Sequence, residues 1–415
     1  MYEKIIALVV FVICYSIAIS RKIKIFYPAI ASAAFLILLG IVPAKYALFE
    51  AIKWDVLAIY WGFMMVSYIF LDSGMASLIA HRVIKKFKKE KYVIFILCAI
   101  TAFISSFMEN VGVVLIMAPV AIEVAKRLKS NLFYYIIPIA ISSNVATTLT
   151  MVADPPSIIL AIETGMKFFD FYWFLNKISI GTLSVFGVIS ALLSLLLIFR
   201  KMNKSFEMED EKIRVDYIPS VIFVAGVLAL AICPYFGIRV GIVGFAVGII
   251  SLVFGRKNLK KMIYEFDWNS FFFITGIFVV VSSLELTGLL GDFSNWFGKM
   301  GIKSSSLMVA IIIWLSVAIS SFIDNVPYTI IMIPVCRQIA SVLNISPYPL
   351  LFGMLIGTGI GGNITPVGAT ANVFACGILE KNGYKIKLKE YLKISLPFTL
   401  VAVTVSHLLL QIIWL

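Results

Sequence analysis

The chain has 415 residues, 61% hydrophobic and only 14% charged, with a mean hydropathy of +1.02. A soluble domain carries about 25% charged and about 45–50% apolar residues, so a water-soluble globular protein is excluded. The apolar stretches are continuous rather than alternating, which excludes an outer-membrane barrel and leaves a polytopic helical membrane protein. The net charge of +13 then reads as basic loops that fix orientation, not as a nucleic-acid surface.

In chain order, spans are expected at 3–20, 25–43 and 54–74. The first has small residues, Ala18 and Ser20, before Arg21 and so resembles a signal peptide; its counterpart in the second half, described below, predicts that it is retained. Residues 92–125 follow, apolar with a polar middle. At 1.5 Å per residue each arm is ~21–24 Å, short of a ~30 Å hydrocarbon core, so a hairpin that dips in and returns is expected. An interrupted apolar segment, 132–161, and a span, 175–199, close this half. The same order recurs as 218–236, 238–255, 268–290, 307–340, 348–379 and 391–413.

The recurrence is visible in the residues themselves. Ile104-Ser105-Ser106-Phe107-Met108-Glu109-Asn110-Val111 returns as Ile319-Ser320-Ser321-Phe322-Ile323-Asp324-Asn325-Val326. Between 104–120 and 319–335, 10 of 17 positions are identical at an offset of 215. Trp54, Gly62 and Gly74 pair with Trp268, Gly276 and Gly288 at an offset of 214. The chain therefore reads as two repeats, 1–200 and 217–415, joined by a polar cytoplasmic linker, 201–216. With five crossings and a returning hairpin per half, the repeats are expected to be inverted. The basic residues agree: 26 of the 35 fall in loops assigned to one side and 9 on the other, placing both termini outside. Inverted repeats with broken helices are transporter architecture, with sites where helix ends meet near the midplane.

Four polar clusters interrupt the apolar sequence. Two are the hairpin turns, with Ser106, Glu109 and Asn110 in one and Ser321, Asp324 and Asn325 in the other. Two are the breaks, Ser142-Ser143-Asn144 to Asp154-Pro155-Pro156-Ser157 and Gly357 to Asn372. Glycines let a backbone approach a ligand closely, and prolines stop a helix. Exposed helix N-termini attract anions, and unwound carbonyls coordinate cations. Glu109, Asp154 and Asp324 are the costly residues: a carboxylate at the bilayer centre costs about 2.5–3.5 kcal/mol even on insertion scales. A carboxylate removed from water takes up a proton more readily, which suits a proton or Na⁺ carrier. Asp72, near a span end, and Glu285, without an acidic counterpart, are weaker candidates. The aromatic run 168–174 reads as an interfacial belt.

Other chemistries lack their residues. The five cysteines form no C-x-x-C pair, and the two histidines, His81 and His407, form no H-E-x-x-H. No G-x-x-x-x-G-K-[ST] loop supports pumping by ATP, and no nucleophile–base set supports an enzyme. A channel would not need duplicated broken helices.

Asn144-Val145-Ala146-Thr147-Thr148-Leu149-Thr150-Met151-Val152-Ala153-Asp154-Pro155-Pro156 resembles the N-x-G-G-x-x-T-x-x-G-D-P-P signature of the ion transporter superfamily. Gly362-Asn363-Ile364-Thr365-Pro366-Val367-Gly368-Ala369-Thr370-Ala371-Asn372-Val373 is similar to its G-N-x-T-x-x-G-A-x-A-N-V counterpart, and 322–327 to its F-x-D-N-x-P hairpin element. That superfamily includes arsenite permeases, the melanosomal permease, D-type sodium/proton antiporters and citrate transporters. The resemblance implies an all-α fold of two inverted repeats, each with about five spans, one re-entrant hairpin and a broken helix. It implies a scaffold through which a homodimer forms and a transport domain that moves like an elevator. It makes Asn144, Thr150, Asp154, Asn363, Thr365 and Asn372 site candidates, with Glu109, Asn110, Asp324 and Asn325 at the tips and Na⁺ near Asn144 and Asn363. Ala146-Thr147 and Ala153 stand where the signature has glycines, which reshapes the first-half site.

The expected protein is a multi-pass transporter of the inner or plasma membrane. It is expected to move arsenite, an oxyanion or a carboxylate by alternating access, coupled to H⁺ or Na⁺ and using no cofactor; a Na⁺/H⁺ antiporter is the first alternative and an ion channel the second.

Overall fold

A computed structural model describes residues 2–20, 23–205, 213–298, 304–323 and 325–415. The first half runs through α1 (Tyr2–Ser20), α2 (Phe26–Leu38), a short α3 (Ala44–Tyr46) continued by a π turn (Ala47–Ala51), α4 (Trp54–Asp72) and α5 (Met75–Ile84). Then come α6 (Glu90–Ser105) and α7 (Asn110–Arg127), α8 (Phe133–Val145) and α9 (Pro155–Thr164), and α10 (Ile180–Ile198). The second half runs through α11 (Ile218–Ile232), α12 (Val240–Phe254), α13 (Leu259–Glu265), α14 (Trp268–Leu286) and α15 (Leu289–Gly298). It continues with α16 (Ser305–Ser320) and α17 (Asn325–Leu343), α18 (Tyr348–Gly361) and α19 (Thr370–Lys381), and α20 (Leu388–Trp414).

The sequence offsets reappear in the element bounds. The pair α4 and α5 recurs as α14 and α15 at 214, and α6 begins and ends 215 residues before α16. Pro119 inside α7 and Pro334 inside α17 hold the same place. Gly74 and Gly288 explain their own pairing: both turn the chain between consecutive helices at positive φ, +78° and +75°, where a Cβ is strained.

The helices pack in two groups. In one, α2 lies against α14 and α4 against α12, so the second expected span of each half packs on the third of the other. Gly62 and Gly276 make this exchange close. A Cβ on Gly62 would lie 1.8 Å from the Gly244 carbonyl oxygen, and one on Gly276 would lie 2.6 Å from the Ala29 carbonyl carbon. Small residues at a crossing are how helices associate in lipid, where burial against apolar solvent supplies no drive. In the other group, α6 packs on α8, α16 on α18, and α10 on α20.

Among the described residues six helical segments are long and apolar enough to cross a membrane: 54–72, 180–198, 218–236, 268–286, 325–343 and 388–414. One of these is α17, expected to be a short hairpin arm; at 19 residues it is ~28 Å long. Length therefore does not separate a re-entrant arm from a span here. Several elements go beyond the expected ones, among them α3 with its π turn, α13 and most of α15. Residues 75–84, which lie between the expected segments 54–74 and 92–125, form α5, and within 168–178 an antiparallel pair joins Trp173–Phe174 to Lys177–Ile178.

Candidate functional site

Each hairpin turns on one motif. In the first, Ser105 donates to the Asn110 side-chain oxygen at 3.2 Å; in the second, Ser320 donates to that of Asn325 at 2.6 Å. Each turn is then tied to the break of its own half. Thr150 donates to the Ser106 carbonyl, and Thr365 donates to the Ser321 carbonyl at 2.5 Å. The Ser106 and Ser321 hydroxyls themselves donate to Phe103 and Val317 carbonyls, both at 2.7 Å.

The breaks also match. Asp154 and Ala369, 215 residues apart, are extended residues that precede α9 and α19, with φ/ψ of −156°/151° and −138°/148°. Pro155 at the first position of α9 needs no amide partner there and fixes the start of that helix. Ser157 donates to the Thr147 carbonyl at 2.7 Å, and Asn372, its counterpart, donates to the Gly362 carbonyl at 3.0 Å. Asn372 also donates to the Thr365 carbonyl at 3.0 Å and accepts from Asn144 at 2.9 Å. Asn363 donates to the Ile141 carbonyl at 3.0 Å and is fully buried. Its side-chain oxygen has no hydrogen-bond partner among the described residues.

These segments enclose a cavity of about 450 Å³. Its lining includes Glu109-Asn110-Val111 at the start of α7, Asp154-Pro155 at the start of α9, Asn325-Val326 at the start of α17 and Ala369-Thr370-Ala371 at the start of α19. Four helix N-termini from two halves thus meet one space, each carrying a partial positive charge of about +0.5. Glu109 caps its helix, accepting from the Gly112 amide at 2.9 Å.

Of the sequence-derived candidates, Glu109, Asn110, Asn144, Asp154 and Asn325 line the cavity together. Ser106, Thr150, Ser321, Asn363, Thr365 and Asn372 do not line it; they are buried behind it. Asp324 lies outside the described residues. Further lining residues come from α4, the end of α13 and the start of α14 and were missed: Tyr60, Met64, Glu265, Phe266, Asp267, Asn269 and Ser270. A signal for it existed, since polar residues flank both repeated tryptophans, Lys53 and Asp55 beside Trp54, Asp267 and Asn269 beside Trp268. The described lining therefore holds four acids, Glu109, Asp154, Glu265 and Asp267, and no Lys, Arg or His. Among the weaker candidates, Asp72 accepts from Asn258 at 2.9 Å, and Glu285 lines a second, smaller cavity.

Residues 15–344 match the family model described as Citrate transporter. The chain belongs to the citrate transporter family. Similar chains include an uncharacterized transporter of Mycobacterium tuberculosis, 26% identical over 416 residues and covering 97% of each chain. The human P protein is 24% identical over 475 residues, which is 94% of this chain and 57% of that protein. The solved YdaH transporter of Alcanivorax borkumensis is 14% identical, with a TM-score of 0.58, over 91% of this chain and 87% of that one; it shares the fold. The resemblance to the ion transporter superfamily holds, and this citrate transporter family member is a multi-pass helical membrane transporter.

Proposed function

We propose that the chain is a secondary active transporter of a small ion, coupled to H⁺ or Na⁺, built of two inverted repeats and working by alternating access. One observation carries the reading: four helix N-termini and the carboxyl groups of Glu109 and Asp154 share one cavity at the turns of two hairpins and the breaks of two helices. The N-termini offer donors to an oxyanion, an arsenite hydroxyl or a carboxylate. They supply about +0.5 each, so four ionised acids outweigh them. A multivalent anion such as citrate, which the family's description names, would then bind only with cations or protons on those acids. Coupling is thus part of the site's electrostatics.

The Na⁺ expected near Asn144 and Asn363 finds one neutral, buried, unpartnered acceptor in the Asn363 side-chain oxygen. Among the described residues no three His, Cys, Asp or Glu side chains are placed to hold one metal ion, so a transition-metal site is not proposed. The second reading, Na⁺/H⁺ antiport, is favoured by the acidic lining without a basic partner.

In this reading the group containing α2, α4, α12 and α14 is the scaffold, and the hairpins and broken helices move against it like an elevator. The scaffold's outward apolar residues, Leu8, Val12, Ile242 and Phe245 among them, would face lipid or a second copy in a homodimer. The chain would sit in the inner or plasma membrane with both termini outside. The test is a proteoliposome screen of arsenite, citrate, phosphate, sulfate and Na⁺ under imposed H⁺ and Na⁺ gradients. Accumulation of one of them driven by either gradient is expected; flux indifferent to both gradients would reject the proposal.

A further inference from the structure

The second cavity, about 170 Å³, lies at the other end of α14: Asn269 and Ser270 line the first, Ser282 and Glu285 the second. Twelve residues of helix separate Ser270 from Ser282, ~18 Å along its axis. The helix α9 also joins the two, with Asp154 at its start in the large cavity and Glu163 near its end in the small one.

Glu163 holds two cations there. Lys53 Nζ is 3.3 Å from one carboxylate oxygen, and Arg337 Nη1 is 3.2 Å from the other. Arg337 also donates to the Glu163 backbone carbonyl. Both cations sit where the C-terminal end of α9 favours positive charge. Lys53 leads into α4, Glu163 belongs to a broken helix, and Arg337 belongs to α17. The cluster therefore ties the α4 side to both parts of the opposite group. Nothing equivalent can form from the repeat-related positions. Those are Asp267 at an offset of 214, and Ile378 and Ile122 at 215.

We infer that Glu163 is the latch of this end of the carrier. Clamped between Lys53 and Arg337, it holds the end at Glu285 shut while the large cavity forms at the other, and the Lys53–Glu163 contact parts once in each cycle. The inference rests on the alternating-access reading above, because only relative motion of the two helix groups requires that contact to break. The unlike residues at the related positions give the two ends different resting stabilities.

The test uses cysteine reporters in a cysteine-free background that still transports. Ser282→Cys reports the latch end and Asn269→Cys the large cavity, each reacted with a membrane-impermeant thiol reagent from its own side. Glu163→Gln should raise reaction at position 282 about two- to fivefold, the scale of a partly exposed ion pair, and slow it at 269. Lys53→Gln should act in the same direction, and the two combined should add less than the product of their separate effects. A cross-link between Lys53→Cys and Glu163→Cys should stop transport, and cleavage of the linker should restore it. Unchanged labelling at both reporters, or continued transport by the cross-linked carrier, would overturn the latch. If the labelling shifts at both reporters while neither gradient drives accumulation by the unaltered protein, ion coupling fails and the relative motion of the two helix groups, with its latch, stands.

Discussion

Asn144 donates its side-chain amide to the side-chain oxygen of Asn372 at 2.9 Å, across 228 residues of sequence. Both are buried, and Asn372 passes the connection on to the Gly362 and Thr365 carbonyls. The two breaks are therefore one hydrogen-bonded unit. Asn144→Ala and Asn372→Ala should each lower stability by about 1–3 kcal/mol, because each leaves buried partners unsatisfied. The double variant should lose less than the sum, as expected of partners in one contact. Thermal unfolding in detergent, read beside transport, measures this.

Thr150 and Thr365 tie each break to the hairpin turn of its own half through the Ser106 and Ser321 carbonyls. Thr365→Val keeps shape and removes the donor. It should cost about 1–3 kcal/mol and impair transport more than Thr365→Ser, which retains a hydroxyl. Equal transport by the two variants would show that the tie has no role in the cycle.

Gly62 and Gly276 set the distance between helices of opposite halves. At Gly62 an added methyl meets backbone, which cannot swing aside as a side chain could. Gly62→Ala should therefore destabilise by about 1–3 kcal/mol or more. Gly291→Ala, where a Cβ meets no atom of the described residues within 4 Å, is the control and should be neutral or slightly stabilising in the same unfolding assay.

Asp267 accepts from the Ser270 amide at 3.1 Å as the cap of α14, and its side chain also faces the large cavity. Asparagine caps a helix about as well as aspartate, so Asp267→Asn separates charge from structure. The variant should keep its unfolding temperature, require more coupling cation and bind an anionic solute more tightly. Identical cation dependence would remove Asp267 from the site's electrostatics.

The breaks and turns were legible because Pro155-Pro156, Gly361-Gly362 and the paired Ser-Ser and Asn residues have few other uses inside apolar sequence. The structure places the breaks at 149–154 and 362–369, inside the expected segments. What the sequence hid was partnership. A helix face against lipid and one against another helix are equally apolar, so the exchange of α2 and α4 between halves left only Gly62 and Gly276 as its trace. Glu265 and Asp267 were hidden because acids beside a span end look like ordinary interfacial residues. The segment 75–84 was hidden for a similar reason: its basic end reads as a loop, while Ala76, Ala80 and Ile84 bury one face of α5.

The central claim is that carboxyl groups at the four-helix cavity carry the coupling ion. Its most direct test compares gradient-driven accumulation with solute exchange at equilibrium, in proteoliposomes holding the Glu109→Gln, Asp154→Asn double variant. Loss of accumulation with exchange retained is the predicted result. Accumulation equal to that of the unaltered carrier, under the same imposed gradient, would contradict it.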